Sequence, residues 1–512
     1  MSILPRGADM HIASGLREFA IASPGRVAVV DGERSLTYAA LDERSNRLAT
    51  AILQAGIRPR ERVAVLLGNR LEYPEVAAGL AKAAIPMVPL NPRLTPGEAQ
   101  YILEHSEARA LILDGALASI AGDAVHDLGM DVVLSMDDTE LGPSYEAALA
   151  RARSVDPAVA VSETEPFVVA YTSGTTGKPK GVVISHRSRC LTFLCTALEW
   201  GLGPGRRTIA VAPMYHGAGF AFAYTAVSTG GTVSMLRRWD PEAFLDMVER
   251  DRPHSVFMVP THAQMLRALP PDELARDLSS LETLYFNAAP MPMALKEWVM
   301  DTLPSVGLHE CYGSTEAAVV SNLRPEDQRR KPGSVGPPWF MTEVRIADLD
   351  GNVIEPPGTG VLYSRSPFLM NGYLKDDAAT RECTTDDGFL TAGDIARVDE
   401  DGCIYIIDRV KDLIITGGIN VYPREVEEVL FKHPQVADVA VIGAADEQWG
   451  EQVVAVITPV PGATVTHTEL DVWCRQDLAS HKVPRRYVVV EKLPRNASGK
   501  ILKRELRDRL AP

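Results

Sequence analysis

Apolar and polar positions alternate along the first 160 residues with two different periods. Thr37 precedes a stripe of apolar residues at helical spacing and Gly56 follows it, so the pattern predicts a helix between them. Thr95 starts a capping box with proline at the first helical position, which predicts a second helix. Continuous apolar runs over 62–67 and 110–113 predict buried strands. This alternation predicts helices packed on largely parallel sheets.

From about residue 333 the pattern changes to short apolar runs around Asp-Gly dipeptides. Asp350-Gly351 and Asp401-Gly402 each separate two such runs, which predicts β-hairpins. The last hundred residues predict a further mixed unit, with strands near 439–442, 453–457 and 487–490 and helices near 424–432 and 468–478.

These patterns predict an α/β protein with two domains. We expect a large N-terminal domain over 1–408, built of helices packed on mixed β-sheets plus a β-rich section. A polar cluster at 408–412 marks the boundary, and a small C-terminal α+β domain follows over 412–512.

Composition excludes several classes of function. The chain has 52 Lys and Arg against 67 Asp and Glu, a net charge of −15, so it has no overall attraction for nucleic acid or anionic lipid. Its six cysteines form no CxxC pair, which argues against a disulfide framework or structural zinc. We find neither a signal peptide nor an apolar run of membrane-spanning length and expect a soluble cytoplasmic protein.

One segment between two predicted strands carries an unusual concentration of hydrogen-bond donors. Its residues are Tyr171-Thr172-Ser173-Gly174-Thr175-Thr176-Gly177-Lys178-Pro179-Lys180-Gly181. Glycines that let backbone N–H groups face one concavity, together with hydroxyls and ammonium groups, suit a polyphosphate. It is not a Walker A loop, because Thr172 lies where that motif has glycine. The alternative, a flexible surface turn, fits poorly with so ordered a run between buried strands.

Four further motifs follow in order along the chain. They are Tyr312-Gly313-Ser314-Thr315-Glu316; Gly393-Asp394; Asp408-Arg409-Val410-Lys411 through Gly417-Gly418; and Pro494-Arg495-Asn496-Ala497-Ser498-Gly499-Lys500. With these motifs the sequence resembles the adenylate-forming superfamily, in its acyl-CoA synthetase (fatty-acid–CoA ligase-like) branch. The resemblance covers nearly the whole chain. It implies that ATP activates a carboxylic acid to acyl-AMP and pyrophosphate, and that CoA then takes the acyl group.

The resemblance assigns roles to particular residues of the larger domain. Glu316 is the implied Mg2+ ligand, with Thr172 a possible second one. Tyr312 would lie against adenine and Thr315 would contact the α-phosphate. The remaining implied nucleotide contacts are Ser173, Gly174, Thr175, Thr176, Gly177 and Lys180 around the pyrophosphate, Gly313 and Ser314 beside Tyr312, and Ala288, Ala289 and Pro290 near the adenine and acyl sites.

The resemblance also assigns roles near the C-terminus. Lys500 would stabilise negative charge during adenylation, which makes it the first choice for the catalytic residue. Asp394 and Arg409 correspond to residues that bind the ribose hydroxyls. Lys411 matches the hinge, which we place at 409–411, where the small mobile domain rotates between the two half-reactions. Gly417 and Gly418 would then line the channel for the CoA pantetheine arm.

The segment over 213–223 resembles the part of the family that surrounds the acyl group. It contains no Asp to pair with an amino acid's ammonium and no other charge, and its small residues leave space, so an apolar acid is favoured. A fatty acid is the first interpretation and an aryl or other cyclic acid the second. His216 is either a gate between acyl pocket and nucleotide or a buried, hydrogen-bonded histidine, and the sequence leaves both open.

The sequence departs from the family pattern at two places, and other functions compete. Asn287-Ala288 replaces the usual Gly-Gly, and Ala392 stands where threonine is usual. Loading of a carrier protein's phosphopantetheine is the main alternative to free CoA, although the chain ends nine residues after Lys503 without a fused carrier domain. Luciferase-like oxygenation is disfavoured because it needs a special substrate. A degenerate nucleotide sensor is disfavoured because Glu316 and Lys500 are both present.

Overall fold

The computed structural model describes residues 9–137, 139–172, 178–495 and 501–510. The chain divides into two compact units, the first being Met1–Glu343 with Ser364–Leu390 and the second Val344–Tyr363 with Thr391–Pro512. The β-rich section thus belongs mostly to the second unit, and the predicted hinge at 409–411 falls inside that unit, where it stays a prediction. No helix in the described ranges combines the length and the apolar character that crossing a membrane requires.

The strands of the described residues are β1 (Val27–Asp31), β2 (Arg34–Thr37), β3 (Arg62–Leu66), β4 (Met87–Pro89), β5 (Ala108–Leu113), β6 (Val132–Ser135), β7 (Pro166–Thr172), β8 (Lys180–Ser185), β9 (Arg207–Ala210), β10 (Thr232–Met235), β11 (Ser255–Met258), β12 (Thr283–Phe286), β13 (Gly307–Ser314), β14 (Ala318–Leu323), β15 (Glu343–Ala347), β16 (Val353–Ile354), β17 (Gly358–Arg365), β18 (Gly372–Tyr373), β19 (Asp394–Val398), β20 (Ile404–Arg409), β21 (Ile414–Thr416), β22 (Ile419–Val421), β23 (Val436–Asp446), β24 (Gly450–Pro459) and β25 (Arg486–Val489).

The α-helices in the same ranges are α1 (Ser14–Ala22), α2 (Tyr38–Gln54), α3 (Glu72–Lys82), α4 (Pro96–Ser106), α5 (Ala118–Asp127), α6 (Tyr145–Arg151), α7 (His186–Trp200), α8 (Gly217–Ser228), α9 (Pro241–Asp251), α10 (Pro260–Arg267), α11 (Pro271–Leu274), α12 (Met293–Thr302), α13 (Asp377–Cys383), α14 (Pro423–Phe431), α15 (His467–Asp477) and α16 (Lys503–Leu510).

Local sequence signals account for where several helices begin. The Thr37 side chain accepts a hydrogen bond from Ala40 N (3.2 Å) and starts α2. At α4, Thr95 Oγ1 accepts from Glu98 N (3.3 Å) while Glu98 Oε2 accepts from Thr95 N (2.8 Å), so the predicted capping box is confirmed. Side chains that bond the first free N–H groups stop the helix from extending backwards.

Within its described part, the first unit contains three sheets whose central strands run parallel. Their strand orders are β18-β8-β7-β4-β3-β5-β6, β2-β1-β10-β9 and β11-β12-β13-β14. The strands β7, β4, β3, β5 and β6 run parallel, whereas β8 and β18 are antiparallel additions at one edge. Val63 to Leu66 of β3 are all buried, as expected for a central strand covered on both faces. The predicted α/β class is confirmed.

The second unit is built around antiparallel strands. The sheet β16-β15-β17-β19-β20 contains the hairpins predicted at Asp350-Gly351 and Asp401-Gly402. The other sheet has the order β22-β21-β24-β23, with β25 beside β24. Both faces of the long β23–β24 pair are buried, since Val441 packs in the cluster with α14 and α15, and Ile442 packs with Leu506 of α16. Helix α16 therefore closes the second face.

Candidate functional site

The two ends of the predicted phosphate loop face each other across a hairpin. Thr172 ends β7, Lys180 begins β8, and the two residues are paired in antiparallel register. Helix α4 holds both ends, because His105 Nδ1 shares a hydrogen bond of 2.7 Å with Tyr171 Oη, and Tyr101 Oη donates to Pro179 O (3.3 Å). The predicted loop residues Ser173, Gly174, Thr175, Thr176 and Gly177 lie outside the described residues.

Lys180, Tyr373 and Glu316 form one polar cluster in the first unit. The Lys180 ammonium lies 4.9 Å from the centroid of the Tyr373 ring and 4.0 Å from Asp376 Oδ2. The Tyr373 hydroxyl donates to Glu316 Oε1 at 3.0 Å. All three side chains of the cluster are half-buried, so a ligand can still reach the ammonium and the carboxylate. We call these residues the Lys180–Tyr373–Glu316 cluster.

Backbone pairing explains how residues so far apart in sequence meet. The two-residue strand β18 pairs antiparallel with β8, which places Tyr373 opposite Val182. Just before it, Met370 N donates to Glu316 O (2.8 Å) and so joins the same segment to the predicted metal ligand. The short strand thus connects Lys180, at the end of the loop, to Glu316, which follows β13.

The motif Tyr312-Gly313-Ser314-Thr315-Glu316 lies at the carboxyl end of β13. Gly313 cannot carry a side chain, because a Cβ there would lie 1.9 Å from the Ala318 carbonyl oxygen. Ser314 Oγ accepts from Ala317 N (3.0 Å) and holds the turn before Glu316. Ligand sites in α/β sheets are usual at such strand ends.

The predicted segment Ala288, Ala289 and Pro290 follows the neighbouring strand β12 and lies at the same sheet edge, since β12 and β13 are parallel. All three residues are exposed. Ala288 has φ of 75°, a left-handed conformation that favours glycine, and its N–H donates to the Asn287 side chain. The departure from Gly-Gly therefore places alanine at a strained backbone position.

His216 lies directly before α8, at the start of the predicted acyl segment. Its ring centroid is 4.7 Å from that of Tyr215, and its buried Nε2 has no hydrogen-bond partner within the described ranges. Burial lowers the pKa of His216 to about 4, with the nearby charge of Arg93 acting in the same direction. The imidazole is therefore neutral at neutral pH, and its gate role stays a prediction.

In the second unit the structure brings Asp394 and Arg409 together. Arg409 Nε donates to Asp394 Oδ1 (2.8 Å) and Nη2 donates to the Ala392 carbonyl (2.9 Å). The unusual Ala392 thus contributes its backbone rather than a side chain. Asp408 Oδ2 accepts from Arg424 N (2.8 Å), which ties β20 to α14.

Three other predicted residues of the second unit occupy its surface. Lys411 is exposed, in a short turn of helix after β20. Gly417 and Gly418 both have left-handed φ, 56° and 79°, and close the β21–β22 hairpin. Lys500 lies outside the described residues. Helix α16, which follows it, is anchored by Arg507 to Asp412 (2.8 Å) and by Lys503 to Glu427 (2.7 Å).

Comparison with known proteins decides the family. An AMP-binding enzyme model matches residues 16–374, more than half of the chain, and an AMP-binding enzyme C-terminal domain model matches residues 425–500. The chain belongs to the AMP-binding enzyme family.

Relatives of this AMP-binding enzyme span nearly its whole length. It is 37% identical to a feruloyl-CoA synthase from Amycolatopsis sp over 489 residues, covering 95% of this chain and 96% of that one. It is 33% identical to an indoleacetate–CoA ligase from Aromatoleum aromaticum, covering 98% of each. Among solved structures, ATP-bound MatB from Rhodopseudomonas palustris superposes with a TM-score of 0.90 at 28% identity, covering 98% of this chain and 99% of that one.

These findings confirm the predicted reaction class. The AMP-binding enzyme is an acid–thiol ligase that forms AMP and acts on a small-molecule acid, ATP and CoA through an acyl adenylate. The roles given to individual residues stay predictions, because the comparisons do not assign them.

Sequence reasoning missed two residues of this AMP-binding enzyme. Tyr373 lies in a strand of only two residues, too short to show a period, and its pairing with β8 is not encoded locally. Arg189 lies in α7 beside the predicted acyl segment, but as one arginine among several it gave no signal that it is buried. A search for polar residues on an apolar helix face is the one pattern that could have found it.

Proposed function

We propose that this AMP-binding enzyme uses Mg2+ and ATP to activate an aryl or aryl-substituted carboxylic acid and transfers the acyl group to CoA. A carboxylate oxygen attacks the α-phosphorus of ATP, and the bond to pyrophosphate breaks. The CoA sulfur, as thiolate, then attacks the acyl carbon and AMP leaves. Attack of one anion on another needs neutralising charge and in-line placement, which fixed cations and donors supply.

The observation that carries the proposal is the Lys180–Tyr373–Glu316 cluster. It brings an ammonium group and a carboxylate into contact with one tyrosine, and Lys180 lies at the end of the predicted phosphate loop. The cation suits the departing pyrophosphate, and the carboxylate suits a hard divalent ion. In this proposal Glu316 and Thr172 bind Mg2+.

The donor set supports a metal bound mainly through the nucleotide. The structure's described part contains no group of three or more His, Cys, Asp or Glu side chains able to hold a metal ion. Glu316 Oε1 accepts from Tyr373, and in this proposal the other carboxylate oxygen, Oε2, is the ligand atom. Mg2+ is commonly held by one or two protein oxygens together with phosphate oxygens and water, so the residues present fit that ion.

The proposal includes rotation of the C-terminal domain about Lys411. The two family models leave residues 375–424 between them, and the predicted hinge at 409–411 lies in that interval. Lys500 would serve adenylation, and Gly417 and Gly418 would line the path of the CoA arm after rotation.

Two of the relatives favour an aryl acid over a straight-chain fatty acid. Feruloyl and indoleacetate, the acyl groups in the names of two relatives, both carry an aromatic ring. We place the reaction in the cytoplasm, a reducing compartment, which fits six cysteines that form no disulfide.

The test is pyrophosphate release over a panel of aryl, aryl-alkyl and fatty acids, with and without CoA, and with mass detection of products. We expect an aryl acid to give the highest kcat/KM and a CoA thioester. Acyl-AMP that accumulates unchanged with CoA, yet is consumed by a phosphopantetheinylated carrier protein, would instead establish the carrier-loading alternative. A fatty acid as the best substrate would overturn the aryl assignment alone.

A further inference from the structure

Arg189 is a buried cation for which the described residues provide no carboxylate partner. It lies in α7, its exposed fraction is 5%, and its Nε makes no hydrogen bond within the described part of the chain. No carboxylate contributes to its pKa, which burial alone lowers to about 10. Arg189 therefore stays charged at neutral pH. A buried charge without a counter-ion is strongly unfavourable, so buried arginines are usually paired with an anion.

The guanidinium points to the beginning of α8. Arg189 Nη2 would lie only 3.1 Å from a Cβ at Gly217, which is the first residue of that twelve-residue helix. The first amides of a helix have no intrahelical acceptor, and this N-terminus has no side-chain cap. The positive end of the helix dipole and Arg189 thus meet at one point.

His216, the N-cap residue of α8, carries a further unsatisfied group. It precedes Gly217, and its Nε2 is buried without a hydrogen-bond partner among the described residues. Within the described ranges, the one charged side chain that affects the pKa of His216 is Arg93, a cation, and no acidic side chain contributes to it. Residues 215–218 are nonetheless half-exposed, so a small molecule can approach the beginning of α8.

We propose that Arg189, the N-terminus of α8 and His216 form a subsite for a second carboxylate of the acid that the enzyme activates. This inference rests on the proposed function, because the subsite lies in the segment that we assign to the acyl group. A carboxylate fits the planar guanidinium in two-point contact and suits backbone amides. The substrate class is then an acid with two carboxylates, one activated and one recognised.

The test compares matched acids that differ only in the second carboxylate. The pairs are hydrocinnamic acid against its ortho-, meta- and para-carboxyl derivatives, and hexanoic acid against adipic acid. Pyrophosphate release gives kcat/KM for each acid. We expect at least one diacid to exceed its monoacid partner by about 100-fold or more, since a buried polar site strongly rejects an analogue that leaves it unpaired.

Variants separate recognition from a structural role. Arg189→Met should lower kcat/KM for the preferred diacid by about 100-fold. Its kcat/KM for the matching monoacid should stay within about threefold of the wild-type value. Arg189→Lys should recover part of the loss because it keeps the charge. Arg187→Met is the matched control, since Arg187 lies two residues earlier on the same helix with its side chain 49% exposed. Arg187→Met should leave kcat/KM unchanged for both the diacid and the monoacid.

Each contrary outcome is distinct. Equal kcat/KM for monoacids and diacids in the wild type overturns the subsite but leaves the CoA ligase function intact. An equal loss for both acids in Arg189→Met also overturns it, because the arginine would then hold the reacting carboxylate or the fold. If Arg189→Met does not fold, the wild-type ratio and Arg189→Lys still decide. Failure of every acid to release pyrophosphate refutes the proposed function itself.

Discussion

The Tyr373→Phe substitution tests the Lys180–Tyr373–Glu316 cluster with the loss of one oxygen atom. It removes the hydroxyl that donates to Glu316 Oε1 at 3.0 Å but keeps the ring that lies 4.9 Å from the Lys180 ammonium. A hydrogen bond to a charged group contributes about 1.5–3 kcal/mol when buried. Because both side chains are half-buried, we expect about 1 kcal/mol here, which is about a fivefold loss in kcat/KM for MgATP.

The assay is pyrophosphate release measured against both MgATP and free Mg2+. If Tyr373 positions Glu316, Tyr373→Phe raises the Mg2+ concentration for half-maximal rate, and thioester formation from supplied acyl-AMP is unchanged. Tyr373→Leu also removes the cation–π contact and should lower kcat/KM by about 20-fold in total.

Tyr405→Phe is the matched control for this prediction. It removes a comparable tyrosine–carboxylate bond, to Asp399 Oδ2 (3.2 Å) in the second unit, and should leave the Mg2+ dependence as it is. The reasoning is refuted if Tyr373→Phe changes neither kcat/KM for MgATP nor the Mg2+ concentration for half-maximal rate by more than about twofold. Equal slowing of both half-reactions would also refute it.

Three further predictions concern other parts of the protein. Gly313→Ala should abolish most pyrophosphate release, because its Cβ would lie 1.9 Å from the Ala318 carbonyl oxygen and force the backbone before Glu316 to move; near-wild-type activity would contradict this close approach. Lys500→Ala should lower pyrophosphate release by about 100- to 1,000-fold but still form thioester from acyl-AMP, and equal loss in both assays would reject its assignment to adenylation. Burial lowers the pKa of His186 and of His262 to about 4, below the unfolded value of 6.5, so their contribution to stability is complete above pH 6.5 and is lost as the pH falls towards 4. The urea midpoint should therefore fall between about pH 7 and pH 5, and a higher midpoint at pH 5 would contradict it.

Local sequence signals predicted much of the fold because their physics is local. The capping residues Thr37 and Thr95 act on amides within one helical turn, and the Asp-Gly turns at 350–351 and 401–402 connect strands a few residues apart. The motif residues likewise indicated their chemistry, since hydroxyls, glycines and lysines in one short segment can serve a phosphate wherever the segment lies.

Pairings between distant segments could not be predicted in this way. Tyr373 reaches Glu316 only because β18 pairs with β8, and that pairing depends on the packing of the whole sheet. The β23–β24 pair shows the same limit, because its strands were predicted but only the fold shows helices covering both faces.

The acyl segment shows most clearly what each level determined. Its sequence over 213–223 contains no charge, which by itself indicated an apolar substrate. The tertiary structure packs α7 against α8 and brings Arg189 to Gly217, so the surroundings of the segment are charged although the segment is not. The sequence determined the reaction class, because its motifs carry that chemistry in consecutive residues. The electrostatic environment of this segment was decided by the tertiary structure, because it is the sum of groups that only folding brings together.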